Sequence, residues 1–156
     1  MLKPILIATG IAGTLDLLAA FVLSALAGVG PVEVLQFVAS GPFGDGALTS
    51  PAFAIAGVAV HYGLMACMAT AFLLAAVRLP LLRQRAILSG ILYGLALWFL
   101  MYWIVRPLRW TTLSYPKDPA TIAGQLFCHL LLVGIPISLC SRFLPASPRA
   151  SAARAI

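Results

Sequence analysis

Four long apolar runs dominate the sequence. They cover about residues 4–28, 51–77, 86–107 and 119–143, and polar residues gather in the segments between them. The hydrocarbon core of a bilayer is roughly 30 Å thick, so a helix needs about 20 residues to cross it. Each run supplies that length, and only a helix satisfies the backbone of such a separate span in lipid. The pattern predicts an all-α, polytopic membrane protein, a four-transmembrane-helix bundle.

Local signals place the ends of these helices. Ser50 with Pro51, and Asp118 with Pro119, are typical of an N-cap followed by proline at the first helical position. Pro80 follows the second run, where a helix is expected to end. We therefore expect the second and fourth spans to begin at these two capped prolines.

The first run ends in a short sequence, residues 25–27, that resembles a signal-peptidase site. The apolar run before it is too long for the hydrophobic region of a signal peptide, and it contains Asp16. We expect it to be a retained membrane span.

The segment between the first two runs carries its own helical pattern, PVEVLQFVAS. Glu33, Gln36 and Ser40 share one face, and apolar residues cover the rest. This predicts a short interfacial helix between helices 1 and 2, lying on the outer membrane surface with those polar residues in water. An open alternative is a lid over the outer mouth of the bundle, in which Glu33 pairs with Arg106.

Composition excludes a soluble protein. The chain is 62% hydrophobic and 9% charged, whereas soluble domains are about 25% charged. A net charge of +6 would suggest nucleic-acid binding in a soluble protein. Here the basic residues flank apolar runs, where they orient the chain and contact lipid. The expected partners are the lipid bilayer, with anionic lipids at the cytoplasmic face, and no nucleic acid.

The basic residues also predict the orientation. Seven lie at the chain ends or between the second and third runs, and three lie on the opposite side. The positive-inside rule then places the N- and C-termini in the cytoplasm. Residues 1–145 form the predicted four-helix transmembrane domain, and the small, polar residues 146–156 form a disordered cytoplasmic tail.

Three ionisable residues interrupt the apolar runs at similar depth. Asp16 lies about 12 residues, roughly 18 Å, from the outer end of the first run. His61 and His129 each lie about 10 residues from the outer start of their runs. A charged carboxylate at this depth costs several kcal/mol unless it is paired, protonated or hydrated. We therefore expect Asp16 to face the bundle interior with one of the histidines as its partner.

The sequence around these residues supports a polar interior. Ala12, Gly13, Ala19 and Ala20 lie three or four residues from Asp16 and allow another helix to approach closely. Thr121 and Gln125 continue the stripe of His129 at a spacing of four, and Tyr93 follows Ser89 on the third run. The predicted polar cluster is Asp16, His61, His129, Gln125 and Tyr93. Gly90 and Gly94 form a GxxxG contact face.

Several functions remain open for this cluster. It packs helices through hydrogen bonds, or it binds a small ligand or relays protons. Two histidines at one depth on separate helices also suit a b-type haem between His61 and His129. A metal-dependent or catalytic centre with Asp16 is a further alternative, although no HExxH or GxSxG pattern is present. We favour a non-enzymatic integral membrane protein over the redox alternative. Enzymatic activity is left open, and so is association as a homodimer or a larger membrane complex.

The motif GxxGTLD in the first run, followed by GVGPVEVLQFVASGPFG, resembles a family of small bacterial inner-membrane proteins that are YagU-like in size and hydropathy. The resemblance covers most of the chain and includes the histidines of the second and fourth runs. It implies four spans and a location in the bacterial inner (cytoplasmic) membrane. It implies no catalytic residues.

Overall fold

A computed structural model describes residues 1–113, 115 and 117–144 of the chain. This part is helical and contains no strand. Its elements, in chain order, are α1 (Leu2–Ala25), α2 (Pro31–Phe43), a 3₁₀ turn (Asp45–Thr49), α3 (Phe53–Arg78), α4 (Pro80–Gln84), α5 (Ala86–Arg109) and α6 (Pro119–Phe143). The tail predicted to be disordered, residues 146–156, lies outside the described residues.

The four predicted spans are confirmed as helices. Among the described residues, α1, α3, α5 and α6 are 24, 26, 24 and 25 residues long and apolar enough to cross a membrane. Asp118 caps α6 as predicted, and its carboxylate accepts a 2.8 Å hydrogen bond from the backbone N–H of Thr121. This bond lowers the pKa of the Asp118 carboxyl. The other predicted cap is wrong, because α3 begins at Phe53 and Ala52 stands in the N-cap position.

Large apolar side chains cover the outside of the bundle. Only 22–28% of the residues in the most apolar stretch of each long helix are buried. Leu6 of α1 is 60% exposed and Ile55 of α3 is 80% exposed. Apolar exposure on this scale far exceeds the isolated apolar patches of a soluble monomer.

Helices α5 and α6 cross in close contact through glycines. An added Cβ at Gly90 would lie 2.8 Å from the Gly134 carbonyl oxygen, and one at Gly94 would overlap the carbonyl oxygen of His129. Near this crossing, the Ser138 hydroxyl donates a 2.6 Å hydrogen bond to the Ala86 carbonyl. The contact face predicted from Gly90 and Gly94 is therefore confirmed.

One end of the bundle is tightly packed. This is the end that holds the start of α1, the end of α3 and the end of α6. Its core consists mainly of small and branched side chains from these helices and from α5, namely Ala8, Ala12, Met65, Ala69, Phe72, Leu73, Ala76, Leu97, Val133, Ile137 and Cys140, together with Leu144 just after α6. The opposite end, covered by α2, is open and contains the candidate site.

The sequence correctly predicts the helix α2 but not the environment of its polar face. Gln36 is 7% exposed and donates a 3.3 Å hydrogen bond to the Leu48 carbonyl, and Ser40 is fully buried. Both are therefore inside the fold, because the 3₁₀ turn and the end of α5 cover this face. Glu33 is exposed as predicted, and its carboxylate accepts a hydrogen bond from the Gly30 N–H. No ion pair joins it to Arg106 among the described residues.

The close contact of α5 and α6 at their glycines predicts that one added methyl group lowers the stability of the bundle strongly. We expect Gly94→Ala to destabilise the bundle by about 1–3 kcal/mol, because its Cβ overlaps the backbone of α6. Gly63→Ala in α3 is the matched control, since no atom lies within 4 Å of its added Cβ. Unfolding in mixed micelles, followed by circular dichroism, measures both. Equal stability of the two variants would contradict the close crossing.

Candidate functional site

A cavity of about 710 Å³ lies between α1, α2, α3, α5 and α6. Its volume falls within the roughly 300–1,000 Å³ range of small-molecule sites. The charged and polar side chains of its wall are Asp16, Ser24, His61, Tyr102, Arg106, Arg109, Trp110, Thr121, Gln125 and His129. Apart from His61, the residues that α2 and α3 contribute are apolar or glycine. The cavity therefore has one polar and one apolar side.

Helical spacing explains two of the polar stripes. Asp16, Ala20 and Ser24 follow each other four residues apart on α1, so they line the same face. On α6, Gln125 and His129 continue the face that Thr121 begins. This confirms that the stripe predicted on the fourth run lies on one face.

Two stretches of π-helix shape the polar side. They cover Leu100–Val105 in α5 and Cys128–Gly134 in α6. Tyr102 and His129 lie in these stretches, and their rings meet edge to face at 5.6 Å. Neither stretch is among the elements predicted from the sequence. A signal was present, since Pro107 and Pro136 each follow one of them, and helices adjust locally to π geometry where a proline removes a backbone donor.

His61 holds α3 against α1. Its Nε2 lies 2.9 Å from the Gly13 carbonyl oxygen, so this nitrogen carries the proton and donates. Gly13 allows the contact because an added Cβ there would lie 2.8 Å from the ring of Tyr62. His129 instead donates from Nδ1 to the Gln125 carbonyl of its own helix at 3.0 Å. Each histidine is thus fixed by a main-chain oxygen rather than by a carboxylate.

Asp16 lies within electrostatic reach of both His61 and His129. Its carboxylate makes no hydrogen bond or ion pair with any residue that the structure describes. Asp16, His61 and His129 therefore line the same cavity, but Asp16 is directly bonded to neither histidine.

The other two members of the predicted cluster behave differently. Gln125 lines the cavity, and its side-chain oxygen accepts a 3.2 Å hydrogen bond from the Trp98 indole. Tyr93 lies outside the cavity lining. Its hydroxyl donates to the Met68 carbonyl at 2.7 Å and its ring packs against Phe72, because this face of α5 turns toward α3.

Arg106 lies on the cavity wall rather than on the outer surface. Its Nε is buried and has no hydrogen-bond partner among the described residues. Guanidinium groups stay charged in proteins, and a buried charge without a partner is costly. Arg106 and Asp16 are thus the two charged groups of the cavity wall without a bonded partner among the described residues.

The neighbouring residues of α5 fasten α2 over the cavity. Arg109 donates hydrogen bonds to the carbonyls of Ser40 and Gly41 and forms a 2.8 Å ion pair with Asp45. The Trp110 indole donates to the Ser40 hydroxyl at 3.1 Å and stacks on Phe37 at 4.6 Å. These contacts form a clamp that joins residues about 70 positions apart, which no local sequence pattern predicts.

The hydrogen bonds of the two histidines leave one ring nitrogen of each without a proton. Nε2 of His61 donates to Gly13 and Nδ1 of His129 donates to Gln125, so Nδ1 of His61 and Nε2 of His129 keep the lone pair that haem ligation requires. No group of three or more histidine, cysteine or acidic residues within the described residues is disposed to hold a metal ion. The haem alternative therefore stays a prediction.

In comparisons with known proteins, no family model, no curated protein and no solved structure matches this chain. The YagU-like resemblance therefore stays a prediction.

The clamp predicts unequal effects for its two charged members. We expect Arg109→Gln to raise hydrogen exchange in residues 31–49 by at least about tenfold, because bonds from a charged donor to two buried carbonyls contribute about 1.5–3 kcal/mol. Asp45→Asn should have a much smaller effect, since that carboxylate is 75% exposed and surface pairs contribute little.

Arg78→Gln, an exposed change at the other end of α3, is the control for altered net charge. Exchange that is unchanged in Arg109→Gln, or equal in Arg109→Gln and Asp45→Asn, would show that the carbonyl bonds do not hold α2.

Proposed function

We propose that the chain is an integral, multi-pass membrane protein that binds a small amphipathic ligand in the cavity beneath α2. The observation that carries this proposal is the cavity itself. It has one polar and one apolar wall within a bundle whose other end is tightly packed. We propose binding rather than catalysis, because no nucleophile is hydrogen-bonded to a base among the described cavity residues.

Insertion into a membrane is supported by the four long helices and their apolar outer surface. Exposed side chains such as Leu6 and Ile55 would be solvated by lipid, whereas in water they would drive aggregation. The distribution of basic residues supports cytoplasmic termini and, with them, a position of α2 on the outer side. The bacterial inner membrane is the proposed location, in keeping with the YagU-like resemblance.

Helix packing explains some of the polar residues but not all of them. His61, Tyr93 and Ser138 each donate to a main-chain carbonyl of a neighbouring helix, so they fix the bundle. Asp16 and Arg106 make no such bond to a described residue, although they line the same cavity. Charges left unpaired inside a span are typical of ligand or ion pathways.

The proposed partners follow from the same surface. The bilayer surrounds the four long helices, and the basic residues at the chain ends would contact anionic lipid on the cytoplasmic side. A homodimer or larger complex remains a proposal that mass measurement in detergent would test.

Binding is tested with a terminally brominated fatty alcohol, since bromine quenches tryptophan on contact. We expect saturable quenching of Trp110, which lines the cavity, and loss of this component in Trp110→Phe. Ala20→Phe should weaken binding by about tenfold or more, because the new ring occupies the cavity and a loss of 1.4 kcal/mol is tenfold.

Ala59→Phe is the matched control for Ala20→Phe, since Ala59 is exposed at a similar distance from the end of its helix. Quenching that never saturates, or that is equal in Ala20→Phe and Ala59→Phe, would mean that the alcohol acts from the surrounding lipid. That result would overturn the proposed function.

A further inference from the structure

We infer that the ligand of this cavity is an amphipathic molecule with an anionic headgroup, a carboxylate or a phosphate, and that Arg106 binds that headgroup. The inference rests on the proposed function and deepens it, because it names the chemical class of the ligand. It begins from a guanidinium that lines the cavity with a buried Nε and no partner among the described residues.

The four acidic side chains do not supply that partner. The sequence has four acidic residues. Asp45 pairs with Arg109, Glu33 accepts from the Gly30 N–H, and Asp118 caps α6. Asp16 makes no ion pair with Arg106. No carboxylate of the described residues therefore pairs with Arg106, and a partly buried guanidinium gains most from carboxylate or phosphate oxygens, which a ligand would supply.

Two further hydrogen-bond donors line the same cavity as Arg106. Tyr102 lies within electrostatic reach of both Asp16 and Arg106, and its hydroxyl donates to no described residue. The oxygen of the Gln125 side chain is already used by Trp98, so its amide nitrogen is left as a donor for the cavity. An anion presents several acceptor oxygens at once and satisfies this set, which an alcohol or a cation does not.

The rest of the cavity accommodates an apolar chain. Its opposite wall is formed by apolar residues of α2 and α3, among them Phe37 and Leu64. Arg106 is three residues from the end of α5, and Asp16 is nine from the end of α1. At the helical rise Asp16 therefore lies about 9 Å deeper. A headgroup at Arg106 would sit near the mouth, away from the carboxylate of Asp16.

A headgroup series tests the inference in nanodiscs of neutral phosphatidylcholine. The probes are terminally brominated chains of one length that end in an alcohol, a carboxylate, a phosphate or a trimethylammonium group, and the readout is quenching of Trp110. We expect the carboxylate or the phosphate to bind about tenfold or more tightly than the alcohol, and the cation to bind most weakly.

Variants identify the residue that causes the preference for an anionic headgroup. In Arg106→Gln the preference over the alcohol should fall to less than about twofold, and Arg106→Lys should keep part of it because the charge remains. Arg78→Gln, an exposed change at the other end of the bundle, should leave it unchanged. Inorganic phosphate or acetate, which lacks the apolar chain, should not displace the probes at equal concentration.

Each outcome decides a separate claim. Equal binding of alcohol and anions by the unaltered protein would overturn the headgroup assignment while the proposed function stands. If Arg106→Gln still prefers the anions over the alcohol, another residue binds the headgroup. Displacement by inorganic phosphate or acetate would make the ligand a small anion instead of an amphiphile. Absence of saturable binding by every probe would overturn the proposed function itself.

Discussion

Hydrogen bonds from side chains to main-chain carbonyls of neighbouring helices hold this bundle together. His61 reaches Gly13 on α1, and Ser138 reaches Ala86 on α5. Arg109 applies the same chemistry to the end of α2. Such bonds suit a protein in lipid, because no water is available there to bind a polar side chain. A helix carbonyl can accept a second hydrogen bond while it keeps the one within its own helix. They fix which faces of the long helices meet.

The cavity lies where the helices of the bundle do not pack against each other. At one end small residues let the helices touch, and α5 meets α6 through Gly90, Gly94 and Gly134. Toward the other end both helices change to π geometry, and the wall there carries side chains that the bundle does not use. Arg106 and Asp16 are the two charges on that wall without a bonded partner among the described residues. Their cost to the fold is the physical reason to expect a ligand.

The sequence predicts the parts of this structure that depend on local pattern. Apolar run length predicts the four long helices, and the spacing of Gly90 and Gly94 predicts a close crossing. Burial of Gln36 was not predictable, because the elements that cover it are joined only by the tertiary fold. The π stretches depend on how the backbone hydrogen bonds rearrange where Pro107 and Pro136 lack an N–H donor. A pattern of residues spaced at 3.6 per turn does not show this rearrangement. Helix rotation, which decides what enters the cavity, is set by partners and not by periodicity.

The central claim is that the cavity holds an anionic amphiphile through Arg106. The most direct measurement is the mass of the intact protein after release from its native membrane in a neutral detergent. We predict one retained anionic amphiphile per chain, present in the unaltered protein and in Arg78→Gln and lost in Arg106→Gln. A protein without any adduct, or the same adducts in Arg106→Gln as in the unaltered protein, would contradict the claim.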